Sequence, residues 1–429
     1  MDLFSTFEQQ LKQTTAQHYL IALSGGLDST ALLSLFAKHR QNRPHFHLRA
    51  IHIHHGLSPN ADSWVEHCQS LCDQFHIPLI IEYVQVDQTK GIEAGAREAR
   101  YQAIQYHIQP NETLATAHHL NDQTETFFLA LKRGSGLQGL GAMQPQSELF
   151  GMNIFRPLLS FTREQLEHYA QTENLTWIYD ESNDDNRYER NFLRNEILPK
   201  VRERWTHFDR TVQRSAQHCF EQQQLINELL QDCFLEHCQT PTEFQLRHFS
   251  QYSPAKQTAL LRMWFSLNQW EMPSKRQLEQ LINDVVLAKK EANPQFHLGK
   301  QIVRRYQFCM YLTSDFLDVT GACIEMQDNH ILLPDNLGGL YLQRTPLHFI
   351  FSWQQYSIEL PPTDLPIQIR FGYSGKIKYH PKRPREEIKK IWQKLGVPPW
   401  QRNRIPLIFY GDKLQSAVGF FKVFEHSEK

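Results

Sequence analysis

The sequence predicts an α/β chain: a doubly wound parallel sheet at the amino end, then a small mainly helical domain, then a small α+β domain at the carboxy end. Three observations predict it. Through residue 132 short apolar runs alternate with longer segments of helical period, beyond residue 199 long helical patterns take over, and from about residue 347 the chain turns proline-rich and strand-like. A length of 429 residues corresponds to about three domains. The pattern changes place them at 1–216, 217–320 and 345–429.

The first apolar run, residues 20–23, stops at Ser24-Gly25-Gly26. Asp28-Ser29-Thr30 then open a stretch with Ala31, Leu32, Leu35 and Phe36 at helical spacing, which makes a strand, a tight turn and a helix start. Residues 48–53 read as a second strand ending in His54-His55-Gly56, and Ser58-Pro59 starts a helix to about residue 75. A third strand (79–84), a helix (92–108), a fourth strand (114–117) ending in His118-His119 and a helix (121–132) follow. Strands and helices in this alternation build a parallel sheet whose ligands sit beyond the carboxyl ends of the strands. The polar interruptions at 24–29, 54–56 and 118–125 therefore converge on one side.

The chemistry of the first interruption is that of a phosphate cradle. Two consecutive glycines let backbone approach a ligand, and the unpaired N–H groups of a helix start face outward with the positive dipole end behind them. Ser24 and Ser29 add hydroxyl donors, whereas Asp28 repels a phosphate unless a cation stands between them, so the string implies Mg²⁺ as well as a nucleotide. A glycine pair alone reads more simply as a turn with a Ser or Asp cap. The full string SGGLDS is neither a Walker loop, which ends in Gly-Lys-Ser/Thr, nor GxGxxG. Asp122 and Glu125 lie three apart at a helix start, on one face. Capping accounts for them, but beside a metal-requiring loop they gain a second use as Mg²⁺ ligand or general base, and the two uses are compatible. Gly134, Gly136 and Gly139 do spell GxGxxG, but after a helix rather than a strand, so we expect a flexible active-site loop there.

Farther on, 207–234 reads as a long polar helix, 260–288 as two helical patterns broken at Met272-Pro273, and 301–312 as strand. Residues 405–410 and 413–418 flank Gly411-Asp412, a two-residue hairpin signal. The net charge of −1 hides segregation: residues 370–404 hold eleven Lys or Arg against Glu386 and Glu387, and 187–214 hold eight against four acids. Such clusters serve a polyanion or are solvated surface. Seven cysteines without paired CxxC spacing suggest buried thiols rather than disulfides or zinc. The chain has no run of about 18 apolar residues and no basic-then-apolar leader, so a cytoplasmic protein without membrane contact is expected.

The SGGLDS string resembles the signature of the PP-loop ATP pyrophosphatases, whose fold is Rossmann-like and which cleave ATP between the α and β phosphates. With HHGLSP (54–59), EAGAREARY (93–101), TAHHLNDQTET (116–126), LKRGSGLQGLGAM (131–143), RPLL (156–159) and RNFLRNEILP (190–199), the chain is similar to the long bacterial form of the tRNA(Ile)-lysidine synthetase family. Gly95 departs from the second alanine expected in that family's helix, a weakening below about 1 kcal/mol.

The resemblance implies a ligase that replaces the C2 oxygen of the wobble cytidine in a CAU-anticodon tRNA(Ile) with the ε-amine of L-lysine, through an adenylated cytidine, using ATP and Mg²⁺. It implies Ser24, Gly25, Gly26, Leu27, Asp28 and Ser29 around the phosphates and Asp28 with Glu125 as metal ligands. It further implies Asp28, Asp122, Glu125 and Arg190 as catalytic, Asp122 also reading cytosine or lysine and serving as the amine's base. Arg97, His118, Arg133 and Arg194 are expected to touch lysine or tRNA, with Arg97 and Arg190 suited to the α-phosphate or the lysine carboxylate. Lys382, Arg383 and Arg385, with Trp392 and Trp400 interleaved, are expected to hold tRNA away from the reacting base. The oligomeric state stays open, a homodimer included. tRNA thiolation on the same loop type is the competing chemistry, but it relies on catalytic cysteines, whereas Cys68 and Cys72 fall in a predicted helix. A tRNA-binding protein with a relict loop is the other alternative.

Overall fold

The computed structural model describes residues 2–424 except 42, 44, 88, 90, 290, 291 and 300, and omits the side chain of residue 93. Packing divides the chain into two compact units, 1–229 and 230–429.

Unit one opens with α1 (Leu3–Leu11) and β1 (His18–Ala22), followed by α2 (Leu27–Arg40), β2 (His47–His54), α3 (Ala61–Gln74), β3 (Leu79–Tyr83), α4 (Ile92–His107), β4 (Thr113–Ala115) and α5 (Leu120–Lys132). A short α6 (Leu137–Leu140), a hairpin of β5 (Gln146–Leu149) and β6 (Met152–Phe155), and α7 (Arg163–Thr172) complete the sheet and its cover. Strand order is β3-β2-β1-β4-β6-β5, parallel except for the β5 edge. Alternate residues of β1 serve two cores. Tyr19 and Ile21 pack with α2 and α7 residues such as Leu32, Phe36 and Leu166, while Leu20 packs with Tyr101 and Ile104 of α4. A strand buried on both faces reads as a continuous apolar run, which is why β1 was legible. The chain order reverses direction beside β1, with β2 on one side and β4 on the other, so the switch-point crevice opens at the carboxyl ends of β1 and β4.

Differences from expectation have local causes. The 134–141 segment is not all loop, since α6 makes one helical turn with Gly136 as its cap. Gly95 sits where an added Cβ would lie 2.0 Å from the carbonyl oxygen of Asp87, so close backbone packing explains the missing alanine. The helical region 189–204 runs through α8 (Glu189–Phe192), a π-turn (Leu193–Ile197) and α9 (Leu198–Arg204). Pro199 has no N–H to give the carbonyl four residues back, and the wider turn accommodates its ring.

The long polar helix is α10 (Phe208–His237). In unit two, α11 (Pro254–Leu267) and α12 (Lys275–Leu281) match the two expected patterns, α12 starting after Met272-Pro273 with a Ser274 capping box. The expected strand at 301–312 is instead a hairpin, Gln301–Tyr306 with Cys309–Ser314, turning at Gln307 in a left-handed conformation. It belongs to a four-stranded antiparallel sheet that packs on α11 and α12 through Trp264, Phe265 and Leu278. A last core spans Val319 to Phe421 and contains the foretold hairpin, Leu407–Tyr410 against Lys413–Ala417, with Gly411 at φ +56. Trp392, interleaved in the basic stretch expected to hold tRNA, is buried in this core and packs there instead.

Candidate active site

The loop between β1 and α2 is braced from within. Ser29 Oγ donates to the Gly26 carbonyl at 3.0 Å and accepts from Ser24 N–H at 3.2 Å, and the two serine hydroxyls meet at 3.0 Å. Because Ser29's proton is taken, Ser24 supplies the one between them. The two glycines differ. Gly25 has φ +84, and a Cβ there would meet Ile178 Cδ1 at 2.6 Å, so the fold itself demands glycine. At Gly26 the nearest atom to an added Cβ is 3.6 Å away, so nothing in the protein demands it. Gly26 is also the N-cap of α2 and offers no side-chain acceptor, leaving first-turn N–H groups for an outside anion.

A cavity of about 380 Å³ opens over this loop, within the size range of ligand sites. Ser24, Gly26, Asp28 and Ser29 line it from the first crossover, His52 and His55 from the end of β2, and Thr116, His118 and Asp122 from the end of β4. The three interruptions do converge. Two features of its wall lie outside the sequence reading. An extended strip at Trp177–Asp180 runs parallel to the loop, with Ile178 N–H donating to the Gly25 carbonyl at 2.9 Å. The aromatic and β-branched run LTWIYD was the signal for it. Arg100 lines the cavity, whereas Arg97 lies over the Tyr101 ring at 5.0 Å and is not in the lining.

The amino end of α5 carries the acidic groups. His119 is its N-cap, with Nδ1 accepting from Asn121 N–H at 3.2 Å while Asp122 Oδ2 accepts from His119 N–H at 3.0 Å. Arg194, turned inward by the π-turn, grips Glu125 through Nε at 2.7 Å and Nη2 at 2.9 Å and reaches Asp122 Oδ1 at 3.1 Å. Arg190 Nη2 donates to Thr126 Oγ1 at 2.8 Å, and its Nε lies 3.2 Å from Glu125 Oε2, an ion-pair contact without hydrogen-bond alignment. Thr124 Oγ1 donates to Asp209 Oδ1 at 2.6 Å, and Arg202 holds the same carboxylate, which ties α5 to the helices that bring the arginines. Burial would raise the Asp122 pKa, but His119, His118 and the two arginines hold it well below the usual carboxylate range. Burial pushes His118 down to about 3, so it is neutral, sharing a 2.9 Å bond with Thr116.

A carboxylate held that low is a poor proton acceptor for an ammonium of pKa about 10.4. Asp122 is therefore an acceptor that positions a donor, and the base role expected of it does not suit its surroundings. For magnesium, Asp28 fits: its Oδ1 is buried without a hydrogen-bond partner among the described residues, beside the phosphate cradle. Glu125 does not fit as arranged, because guanidinium groups occupy both of its oxygens. Arg133 follows the far end of α5, about 16 Å along the axis from Asp122. Lys382, Arg383 and Arg385 lie exposed in unit two, where Arg383 Nη1 donates to Tyr379 Oη at 2.9 Å. Cys68 and Cys72 are buried, with burial pushing both thiols up to about 12, so neither is a nucleophile.

The sheet and its uncapped glycine loop define a PP-loop protein, and the family described as the PP-loop domain matches residues 2–201. The TilS substrate binding domain matches 244–311 and the TilS substrate C-terminal domain 367–429. A tRNA(Ile)-lysidine synthase of Haemophilus influenzae strain PittGG is 71% identical over 99% of this chain and 100% of its own length. Namesakes from Actinobacillus succinogenes and Actinobacillus pleuropneumoniae are 56% and 45% identical, over 99% and 96% of this chain and 100% and 99% of theirs. The chain belongs to the tRNA(Ile)-lysidine synthase family, ligases built on the PP-loop ATP pyrophosphatase domain.

Proposed function

We propose that the chain joins the ε-amine of L-lysine to C2 of the wobble cytidine in tRNA(Ile) with a CAU anticodon, consuming ATP. The observation that carries this is one cavity lined by both an anion-ready glycine loop and the Asp122 carboxylate held by Arg194. Cytidine O2 attacks the α-phosphorus, the α–β bridging bond breaks, and pyrophosphate leaves. The lysine nitrogen then attacks C2, the C2–O2 bond breaks, and AMP departs with the former base oxygen.

The first-turn N–H groups of α2 and the Gly26 backbone hold the phosphates. Asp28 would hold Mg²⁺, which supplies neutralising charge on the phosphates when bound. Asp122 accepts from a donor on the reacting groups, either the cytosine N4 amine or the lysine ammonium. Arg190 and Arg194 fix the Glu125 and Asp122 carboxylates in place. An amine of pKa about 10.4 is free only about once in 2,500 at pH 7, a deficit of roughly 4.6 kcal/mol that a water-poor site must reduce. Unit two, with Lys382, Arg383 and Arg385, binds tRNA phosphates. No helix among the described residues is long and apolar enough to cross a membrane. The cytoplasm, where tRNA resides, is the location this reading assigns.

Incubation with ATP, labelled lysine and unmodified tRNA(Ile) tests it. Label on tRNA with stoichiometric AMP and pyrophosphate is expected; pyrophosphate without lysine attachment defeats it. Asp28→Ala should fold and lose tRNA-dependent pyrophosphate release.

A further inference from the structure

His119 touches two acidic groups that its role as a helix cap does not require. Its Nδ1 accepts the Asn121 N–H, so the ring's outward donor is Nε2–H. Nε2 stands 3.6 Å from Asp28 Oδ2 and 3.5 Å from Asp122 Oδ2, in a position where the residue is 1% exposed. Both separations exceed a formed hydrogen bond, but a single donor faces two carboxylates, and a shift of about 0.5 Å brings it within bonding distance of either. A cap alone is better supplied by Ser, Thr, Asp or Asn. What the imidazole adds is reach: it extends past the cap to a second crossover.

Asp28 rides on the turn after β1 and Asp122 on the helix after β4, and their like charges repel across a water-poor gap unless a donor stands between them. On the far side of Asp122, Arg194 continues the chain to Glu125. A connected series therefore runs from the phosphate loop to the guanidinium clamp. We propose that His119 is a positioning residue whose Nε2–H sets the separation of Asp28 and Asp122, keeping the nucleotide end of the cavity in register with the cytidine and lysine end. This rests on the reading of the cavity given above.

Two variants separate the cap from the bridge. His119→Asn keeps a short acceptor for the Asn121 N–H but ends short of the carboxylates. His119→Gln places an amide N–H near the Nε2 position and gives up the cap. Three measurements are taken on each full-length protein: thermal midpoint, affinity for ATP with Mg²⁺ by calorimetry, and lysine attachment to tRNA. His119→Asn is expected to melt near wild type yet lose about 10- to 100-fold in kcat/KM and weaken nucleotide binding. His119→Gln is expected to melt lower yet recover most of both. Wild-type kinetics and nucleotide affinity in His119→Asn, or no recovery in His119→Gln, overturns the proposal. Should the Asn variant fail to fold, the Gln variant decides alone, with near-wild-type binding and turnover supporting the bridge and their loss refuting it. Failure of the wild type to attach lysine would fell the functional reading instead, while the calorimetric comparison would still decide the role of His119.

Discussion

At the scale of single residues, the two loop glycines separate fold from function. Gly25 combines a left-handed φ with an Ile178 contact that no Cβ tolerates, whereas Gly26 has an ordinary φ and room around it. Gly25→Ala should therefore lower the thermal midpoint, the conformational part alone being about 1–2 kcal/mol. Gly26→Ala should melt within about 1 kcal/mol of wild type but bind ATP poorly, because its methyl enters the space left for phosphate. Calorimetry on both checks this, and equal ATP affinity for wild type and Gly26→Ala would refute the cradle assignment. The sequence alone makes these glycines equivalent, since their difference lies in a strip about 150 residues later in the chain that no local pattern links to the loop. The same holds for Gly95, which propensity marks as a weakness and packing against Asp87 makes a requirement.

Elements were legible where one period ran long enough to be counted. β1 through α5 and the long helix α10 follow from apolar spacing, and the hairpin at Gly411 from its turn chemistry. The β5–β6 hairpin and the π-turn that aims Arg194 were not, because four-residue strands and a single wide turn are too short to leave a periodic trace. That turn decides the electrostatics of the site. Arg194 joins two carboxylates, and removing one partner of a buried ion pair costs about 3–5 kcal/mol. Arg194→Met should destabilise unit one on that order and abolish lysine attachment. Its pH dependence has a defined sign. The Asp122 pKa is depressed in the folded state, so its contribution is complete above its unfolded value and is lost as pH falls from about 4 toward about 2. In Arg194→Met the depression shrinks, and the acid unfolding midpoint should move to higher pH. A midpoint unchanged from wild type would show that Arg194 does not hold Asp122.

For the whole molecule, the question is how a chain of net charge −1 holds a polyanion. Bulk charge gives no affinity for tRNA, so binding must come from local segregation, and the exposed turn around Lys382, Arg383 and Arg385 concentrates positive charge, with Glu386 acting on Arg383 from nearby. The neighbouring Lys394 is paired with Glu386, and Trp392 is buried, so the proposed tRNA contact is placed on the turn itself. Phosphate contacts carry no sequence information, so this turn is expected to fix register rather than identity. Replacing Lys382, Arg383 and Arg385 with alanine should weaken tRNA binding. It should also reduce the slope of log affinity against log salt by roughly 2 to 3, at about 0.7 to 0.9 for each phosphate no longer neutralised. Magnesium-dependent ATP binding in unit one should stay as in wild type, since no residue of the cavity belongs to this turn. Filter binding from low to physiological salt separates the outcomes. A parallel downward shift with unchanged slope would mean that the turn acts through the shape of its domain rather than its charge, and unchanged affinity at every salt concentration would place the tRNA-binding surface elsewhere.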